Sequence, residues 1–574
     1  MSGRPVRRPP RRTVAGRVAD RGGLEILAGA SPRVAHTTPW LARSHRALAA
    51  LLVGAFLLLA IGSLQRMTLT PDEGGHFDYG LRLLHAAPVV NETKMPVSAL
   101  NAAPRAVAYF LPPGPVQERL KRVETGRYVT VAIATLFALV VFQWASALYG
   151  SVAGLLSLTL YVFDPNILAH ARLVTNDVYA AGAILCTFYC FWRYLRGDGW
   201  RWSAATAVVL GISLLVKHTS LFLFPLLALV AVGWTAPDLR NLVRRGARRE
   251  LGRRVATFVG TALVFLLVAW LIVNLGLVFR DTFKPLRDYR FESETLRSIQ
   301  ASLPFAAHVR VPVPAPYLLS LDQLIFFEQT GRGFPNSYLL GKLDKVDGYH
   351  GFKGYFLYAS LYKVPIATQC LILAAVVAYV ARRGRFDGRN EWLLLCPVLF
   401  FIVTFNTMSR INIGIRYFLP VFPLLYVFCG SLLCRPSTLP RWAVGSIGVL
   451  LGYLVVSVLS YYPHFIPYFN ELVWDRRQAY RVLADSNLDW RQNGWYVERW
   501  LKAHPEAIVS PERPVAGTIV VRVNALVGTT QPERYRWLRE NFEPVEHIAY
   551  AHLVFHVTPE DLRRIGVDDG AARR

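Results

Sequence analysis

Long apolar runs of about 17–25 residues alternate along this chain with short polar segments. Wound as a helix, a run of that length spans the hydrocarbon core of a bilayer. The pattern predicts about eleven transmembrane helices, at 47–64, 128–147, 152–169, 177–195, 202–217, 219–235, 255–279, 355–380, 391–408, 414–433 and 441–461. Two long stretches, 65–127 and 280–354, interrupt the rhythm and mix charges of both signs with proline and aromatic residues. Within the first, residues 76–86 (HFDYGLRLLHA) have helical periodicity, with Phe77, Leu81 and Leu84 on one side. Such a helix is expected to lie in the membrane interface rather than cross it. Beyond residue 462 the character changes. Residues 488–501 and 532–541 carry a helical period, whereas 517–523 and 548–557 look like strands. The fold class expected is therefore an α-helical polytopic membrane protein with a small C-terminal α/β domain.

Composition agrees with this reading. Of 574 residues, 53% are hydrophobic and 18% charged, against roughly a quarter charged in soluble proteins. The net charge of +26 does not point to nucleic acid, because the arginines sit in short segments between apolar runs, as in cytoplasmic loops. The basic segments 240–254 (with Arg244, Arg245, Arg248, Arg249 and Arg253), 382–389 and 435–441 fall on one side of the predicted spans. The positive-inside rule makes that side cytoplasmic. Residues 1–46, rich in Arg, Pro and Gly, are expected to form a disordered cytoplasmic tail rather than a cleavable signal. The organisation expected is a 1–46 tail, a 47–461 membrane domain with outer loops 65–127 and 280–354, and an extracytoplasmic 462–574 domain. The membrane expected is the inner (plasma) membrane. Six cysteines lie in or beside the spans without a C-x-x-C pair, so neither a disulfide framework nor a zinc site is indicated.

Candidate chemistry gathers at the outer ends of the spans. Directly after the first comes Thr70-Pro71-Asp72-Glu73-Gly74-Gly75-His76, with adjacent carboxylates that are costly to place near a membrane. Residues 164–177 (DPNILAHARLVTND) join the third and fourth spans. Their Arg172 and Asp177 either brace the turn as an ion pair or belong to the same site. Three cations face the same side: Lys217 beside His218, Lys363, and Arg416 at the start of the tenth span. Singly, each suits snorkelling to headgroups. Converging with the carboxylates, they would grip an anionic headgroup such as a lipid phosphate.

Several of these segments resemble the bacterial relatives of the protein O-mannosyltransferases, the glycosyltransferase family 39-like enzymes of the membrane-embedded GT-C class. The stretches concerned are Asp72-Glu73 with His76 and Gly80, Leu148-Tyr149-Gly150, residues 164–177, Leu215-Val216-Lys217-His218-Thr219, residues 412–420 (NIGIRYFLP), residues 463–472, and Asp485-Ser486-Asn487-Leu488-Asp489-Trp490. They run in order over about 47–560. The resemblance implies a GT-C-like fold and sugar transfer from a polyprenyl-phosphate donor to an acceptor outside the cytoplasm. The acceptor it implies is a protein, a lipid or a glycan, with membrane lipids as the surrounding partner and no nucleic acid. It carries the catalytic acid residue to Asp72, as base, with Glu73 orienting it or the acceptor. From position and charge, His76, Arg172, Asp177, Lys217, Lys363 and Arg416 are candidates for substrate binding.

The chain has no D-x-D motif, which argues for a lipid-linked donor over a nucleotide sugar. Asp72, Glu73 and His76 offer possible ligand types for a divalent ion, but no complete set is visible and no metal or other cofactor is expected. Asp485 and Asp489 are read as capping or bridging the helix of the C-terminal domain. Two further readings stay open. One is a transporter or flippase for lipid-linked sugars, which an internal repeat would favour; the other is a scaffold whose tail binds a partner.

Overall fold

The computed structural model describes residues 39–566 apart from 92, 303–307, 382–387, 435, 437 and 438. Residues 1–38 of the expected tail, 382–387 of the expected basic loop at 382–389, and 435, 437 and 438 of that at 435–441 thus lie outside the described residues. Among those described, seven helices are long and apolar enough to cross a membrane: Ser44–Leu64, Val123–Tyr149, Asp177–Leu195, His218–Arg244, Arg248–Gly276, Arg389–Thr407 and Arg441–Leu459. Each overlaps a run picked out by the hydropathy pattern.

The remaining expected spans depart from single straight helices, and local chemistry explains two of them. The run 152–169 breaks at Asp164-Pro165 into Ser151–Val162 and Pro165–His170. The Asp164 carboxylate accepts from the backbone N–H groups of Asn166 (2.7 Å) and Ile167 (3.3 Å), capping the second piece. The run 355–380 is two helices, Tyr355–Lys363 and Ile366–Ala381, bent by 115°. Val364 precedes Pro365 and is extended (φ −92°, ψ 132°), because the proline ring disfavours helical backbone in the residue before it. The other two runs shorten to Trp200–Leu214 and Val421–Leu433.

The bundle has a centre and a rim. In Asp177–Leu195 83% of the apolar window is buried inside the protein, against 11% in Arg248–Gly276 and 17% in Arg441–Leu459. The first packs among protein neighbours; the latter two present their apolar side chains outward, as lipid-facing helices do. Because consecutive helices alternate in direction, the residues after Ser44–Leu64, before Asp177–Leu195, before His218–Arg244 and before Val421–Leu433 gather at one end.

At that end the helix expected from residue 76 begins earlier, at Pro71, and runs to Leu84. Proline suits the first helical turn, and the Glu73 carboxylate reaches back to accept from the Thr70 N–H (2.8 Å). This helix does not lie free in the interface. It packs against Ser98–Ala108 so closely that a Cβ on Gly80 would stand 2.3 Å from the Ser98 carbonyl oxygen. Phe77 is buried with Ala102 and Val174, and Leu84 is exposed.

The 280–354 region carries a short hairpin, β1 (Tyr338–Leu339) and β2 (Lys342–Leu343). The C-terminal part forms a sheet of β3 (Ile508–Val509), β4 (Gly517–Arg522), β5 (Glu546–Ile548) and β6 (His552–Val557), in the order β3-β4-β6-β5. Only the β3–β4 pair is parallel. The strand expected over 548–557 is instead a hairpin. Ala549 and Tyr550 take φ of 47° and 67°, the left-handed backbone that a tight hairpin turn demands. The helix expected from residue 488 begins at Gly494. Tyr496, Val497, Trp500 and Leu501 pack beside the buried Val520, Ile548 and Val554.

Candidate functional site

The three pieces that interrupt the apolar rhythm meet over the end of the bundle around a cavity of about 510 Å³. The 65–127 region contributes Asp72, His76 and Lys94, and the 280–354 region contributes Glu328 and Phe334. The C-terminal part contributes Asp485, Asp489, Trp490, Arg491, Arg522 and Asn524. Asp177, Lys217, Arg416 and Tyr417 come from segments flanking the spans.

Arg416 is the hub. Its Nη1 lies 3.2 Å from Asp72 Oδ2 and 3.7 Å from Asp177 Oδ2. Lys217 Nζ donates to the other oxygen of Asp177 at 2.7 Å and sits 4.3 Å from the centre of the Tyr417 ring. The guanidinium also stacks over Trp490, 4.1 Å from the ring centre, an arrangement that its planar delocalised charge favours. Exposure separates the members. The side chain of Asp177 is 3% exposed and that of Arg416 9%, whereas that of Asp72 is 35% exposed. A half-open carboxylate thus sits on a buried, charge-balanced base.

Adjacent residues on a helix point about 100° apart, and Asp72 and Glu73 show the result. Glu73 does not line the cavity. Its carboxylate is fully buried against Arg127, with contacts of 2.7 Å (Nε to Oε2) and 2.6 Å (Nη2 to Oε1), and it accepts from the Val174 N–H at 3.1 Å. Arg127 also donates to the carbonyls of Met67 (3.1 Å) and Thr68 (2.8 Å). The expectation that Glu73 orients Asp72 or an acceptor is therefore corrected: its carboxylate knits the first loop to the Val123–Tyr149 helix.

His76 lines the cavity, with Nδ1 3.2 Å from Ser98 Oγ. Burial, helped by the nearby Lys94, pushes its imidazole down to about 4, so it is neutral at physiological pH. With Glu73 bound to Arg127, the trio considered for a divalent ion is not assembled. Among the described residues no group of three or more His, Cys, Asp or Glu side chains is placed to hold a metal.

Two of the six candidates for substrate binding sit elsewhere. Lys363 is buried and donates to the carbonyls of Ile466 (2.7 Å) and Asn487 (2.6 Å), away from the cavity. Its ammonium joins the bent helix to the C-terminal part, which corrects its reading as a phosphate contact. Arg172 is fully buried outside the cavity and does not pair with Asp177, whose partners are Lys217 and Arg416. Asp72, His76, Asp177, Lys217 and Arg416 are brought together.

Sequence reasoning missed Lys94 and Arg491, which lie in polar stretches with nothing to distinguish them, and Arg522, at the end of the apolar strand β4. It also set Asp485 aside. Asp489 does bridge, accepting from Arg522 Nη2 at 3.0 Å and from the Arg491 N–H at 3.1 Å. Asp485 behaves differently. It lines the cavity in the left-handed region, at φ 55°, and its placement in the DSNLDW segment was the available signal. That segment is clasped to the Arg416 loop. Asn487 Oδ1 accepts from the Ile415 N–H (2.9 Å), and Ser486 Oγ donates to the Ile413 carbonyl (2.6 Å). A Cβ on Gly414 would stand 2.2 Å from Ser486 Oγ, so only glycine permits this approach.

Comparison with known proteins places this geometry in context. Residues 125–280 match the family model described as dolichyl-phosphate-mannose-protein mannosyltransferase. The resemblance read from the sequence is shown for this stretch, which holds Asp177 and Lys217 but neither Asp72 nor Arg416. No curated protein sequence matches the chain. Among solved structures, the apo Archaeoglobus fulgidus oligosaccharyltransferase is similar at 13% identity and a TM-score of 0.46, covering 81% of this chain and 60% of its own. Apo ArnT from Cupriavidus metallidurans is similar at 16% identity and a TM-score of 0.29, covering 89% of this chain and 98% of its own. Arabinosyltransferase EmbB from Mycobacterium smegmatis is similar at 14% identity and a TM-score of 0.38, covering 71% of this chain and 32% of its own. The chain thus spans less than two thirds of the archaeal enzyme's length, and superpositions this loose do not bear on activity.

Proposed function

We propose that this chain, similar over residues 125–280 to the protein O-mannosyltransferases, is a membrane glycosyltransferase. It takes a sugar from a polyprenyl-phosphate donor and passes it to a hydroxyl or amine of a protein, lipid or glycan acceptor. The reaction occurs on the extracytoplasmic face of the plasma membrane, with the N-terminus cytoplasmic and the C-terminal part outside. The observation that carries this reading is the Asp72–Arg416–Asp177–Lys217 array at the mouth of an apolar bundle. It sets an accessible carboxylate beside two cations next to the ends of the apolar helices, where this reading puts the lipid phosphate.

The chemistry follows from that arrangement. The acceptor's O–H or N–H attacks the anomeric carbon from the face opposite the phosphate, and the carbon–oxygen bond to the phosphate breaks with its electron pair. Configuration at that carbon inverts. Asp72 takes the acceptor's proton as general base, an effect commonly worth about 10²–10⁴ in rate. Arg416 and Lys217 hold the charge developing on the departing polyprenyl phosphate. Asp177 keeps the two cations together at close range, where their mutual repulsion would otherwise separate them. A phosphate leaves without protonation, so no general acid is required.

The test is to incubate the purified protein with a panel of labelled polyprenyl-phosphate sugars. Turnover of one of them, lost in Asp72→Asn, is the expected result. Full activity in that variant ends the reading. The transporter alternative gains one observation, the broken pair Tyr355–Lys363 and Ile366–Ala381, since broken helices line transporter sites. It predicts movement of intact donor across a vesicle membrane without release of the sugar.

A further inference from the structure

Two carboxylates of the cavity, Glu328 and Asp485, have no ion-pair partner among the described residues, but both oxygens of Glu328 accept hydrogen bonds, from Ser409 Oγ (3.2 Å) and the Arg410 N–H (2.7 Å). Asp72 and Asp177 share Arg416, Asp177 also holds Lys217, and Asp489 holds Arg522. Asp485 makes no ion pair among the described residues. Its Oδ1 accepts from the Ser486 N–H at 2.6 Å, and Oδ2 accepts no hydrogen bond among the described residues. Its own N–H is held by Asn524 Oδ1 at 2.8 Å.

The backbone here is strained on behalf of this placement. Left-handed geometry is unfavourable at a residue bearing a Cβ, and strain of this kind concentrates at functional sites. A purely structural demand for φ 55° would be met better by glycine or asparagine. What aspartate adds is a charged oxygen facing the cavity. The groups whose charge reaches it are Arg416, Asp489 and Asp72, and it in turn acts on Tyr355 and Tyr417. Burial pushes its carboxyl up to about 6, against the opposing pull of Arg416.

We propose that Asp485 binds the acceptor: its free oxygen takes a hydrogen bond from a second donor of the acceptor, the other N–H of an attacking amine or a hydroxyl next to the attacking one, and so aims the nucleophile from the C-terminal wall toward Asp72. The proton of the attacking group itself goes to Asp72. Asp485 is thus a substrate-binding residue on the acceptor side, whereas Arg416 and Lys217 serve the donor. The proposal rests on the transferase reading above. Protonation removes the charge that strengthens this hydrogen bond, so acceptor use falls as pH drops through about 6.

The experiment uses the full-length protein with the productive donor of the panel, glycerol as hydroxyl probe and ethanolamine as amine probe. Undecaprenyl phosphate binding is measured separately. In Asp485→Asn, transfer at low acceptor concentration is expected to fall about tenfold or more, the size of a lost charge-assisted hydrogen bond. Undecaprenyl phosphate affinity should stay within about twofold, and the fall in rate centred near pH 6 should be lost, leaving the limb that belongs to the Asp72 base. Asp485→Gly, which relieves the backbone strain, should fold at least as well and show the same loss. Unchanged transfer in both variants, or a matching loss of undecaprenyl phosphate binding, overturns the assignment while leaving the transferase reading intact. Absence of transfer by the unaltered protein with every donor overturns that reading, and this inference with it.

Discussion

The two sides of the cavity are built from the same residue types to different ends. On the bundle side the charges around Arg416 are matched: Arg416 bridges Asp72 and Asp177, and Lys217 completes the set. Mutual pairing lets these side chains remain in place before a ligand arrives, which is the condition for strong electrostatic stabilisation. On the C-terminal side Asp489 and Arg522 are matched while Asp485 is left open. An unpaired charge is less stable but free to meet an incoming donor. Preorganisation on one side and unsatisfied valence on the other is what a two-substrate site needs.

This contrast can be broken at several points. The largest effect is expected from Asp72→Asn, which should lower transfer by about 10³-fold with the protein still inserted and folded; radiolabel release measures it. Next comes Glu73→Gln, one position away and opposite in character. Removing one partner of a buried ion pair should cost about 3 kcal/mol of stability, seen as a lower melting temperature in detergent, with little change in the rate constant of the folded fraction. A Glu73 variant that melts normally but is inactive would return this residue to the site. Arg416→Ala should weaken undecaprenyl phosphate binding about tenfold or more, and more than it weakens acceptor use. Equal donor affinity would refute its role. The smallest effect is expected from Lys363→Met. Donor affinity of the folded fraction should change less than about twofold, because this ammonium faces backbone carbonyls. A larger loss would put Lys363 back among the donor contacts.

Legibility in the sequence followed the strength of local contrast. Charges flanking long apolar runs, as with Asp72, Asp177, Lys217 and Arg416, stand out because water and lipid impose opposite demands on neighbouring residues. The breaks at Asp164-Pro165 and Val364-Pro365 were visible as letters, but hydropathy averaging passed over them. Glu73 was misjudged because adjacency in sequence is not adjacency on a helix. Lys363 was misjudged because a lysine facing two carbonyls and one facing a phosphate look alike until the chain is folded. Lys94, Arg491 and Arg522 reach the cavity through long-range packing, which no window of residues contains. Asp485 was discounted as a cap or bridge of the helix expected from residue 488, whereas a left-handed turn delivers it to the cavity.

The clasp of Ser486 and Asn487 onto residues 413–415 bears on how this protein can be taken apart. The guanidinium at 416 is mounted on a loop whose backbone is fastened from the far end of the chain. A truncation before residue 462 would therefore unseat the Arg416 loop along with the tail, and its inactivity would say nothing about what the tail does alone. Chimaeras should exchange 412–418 and 484–492 as one matched cassette, like a bolt with its own thread.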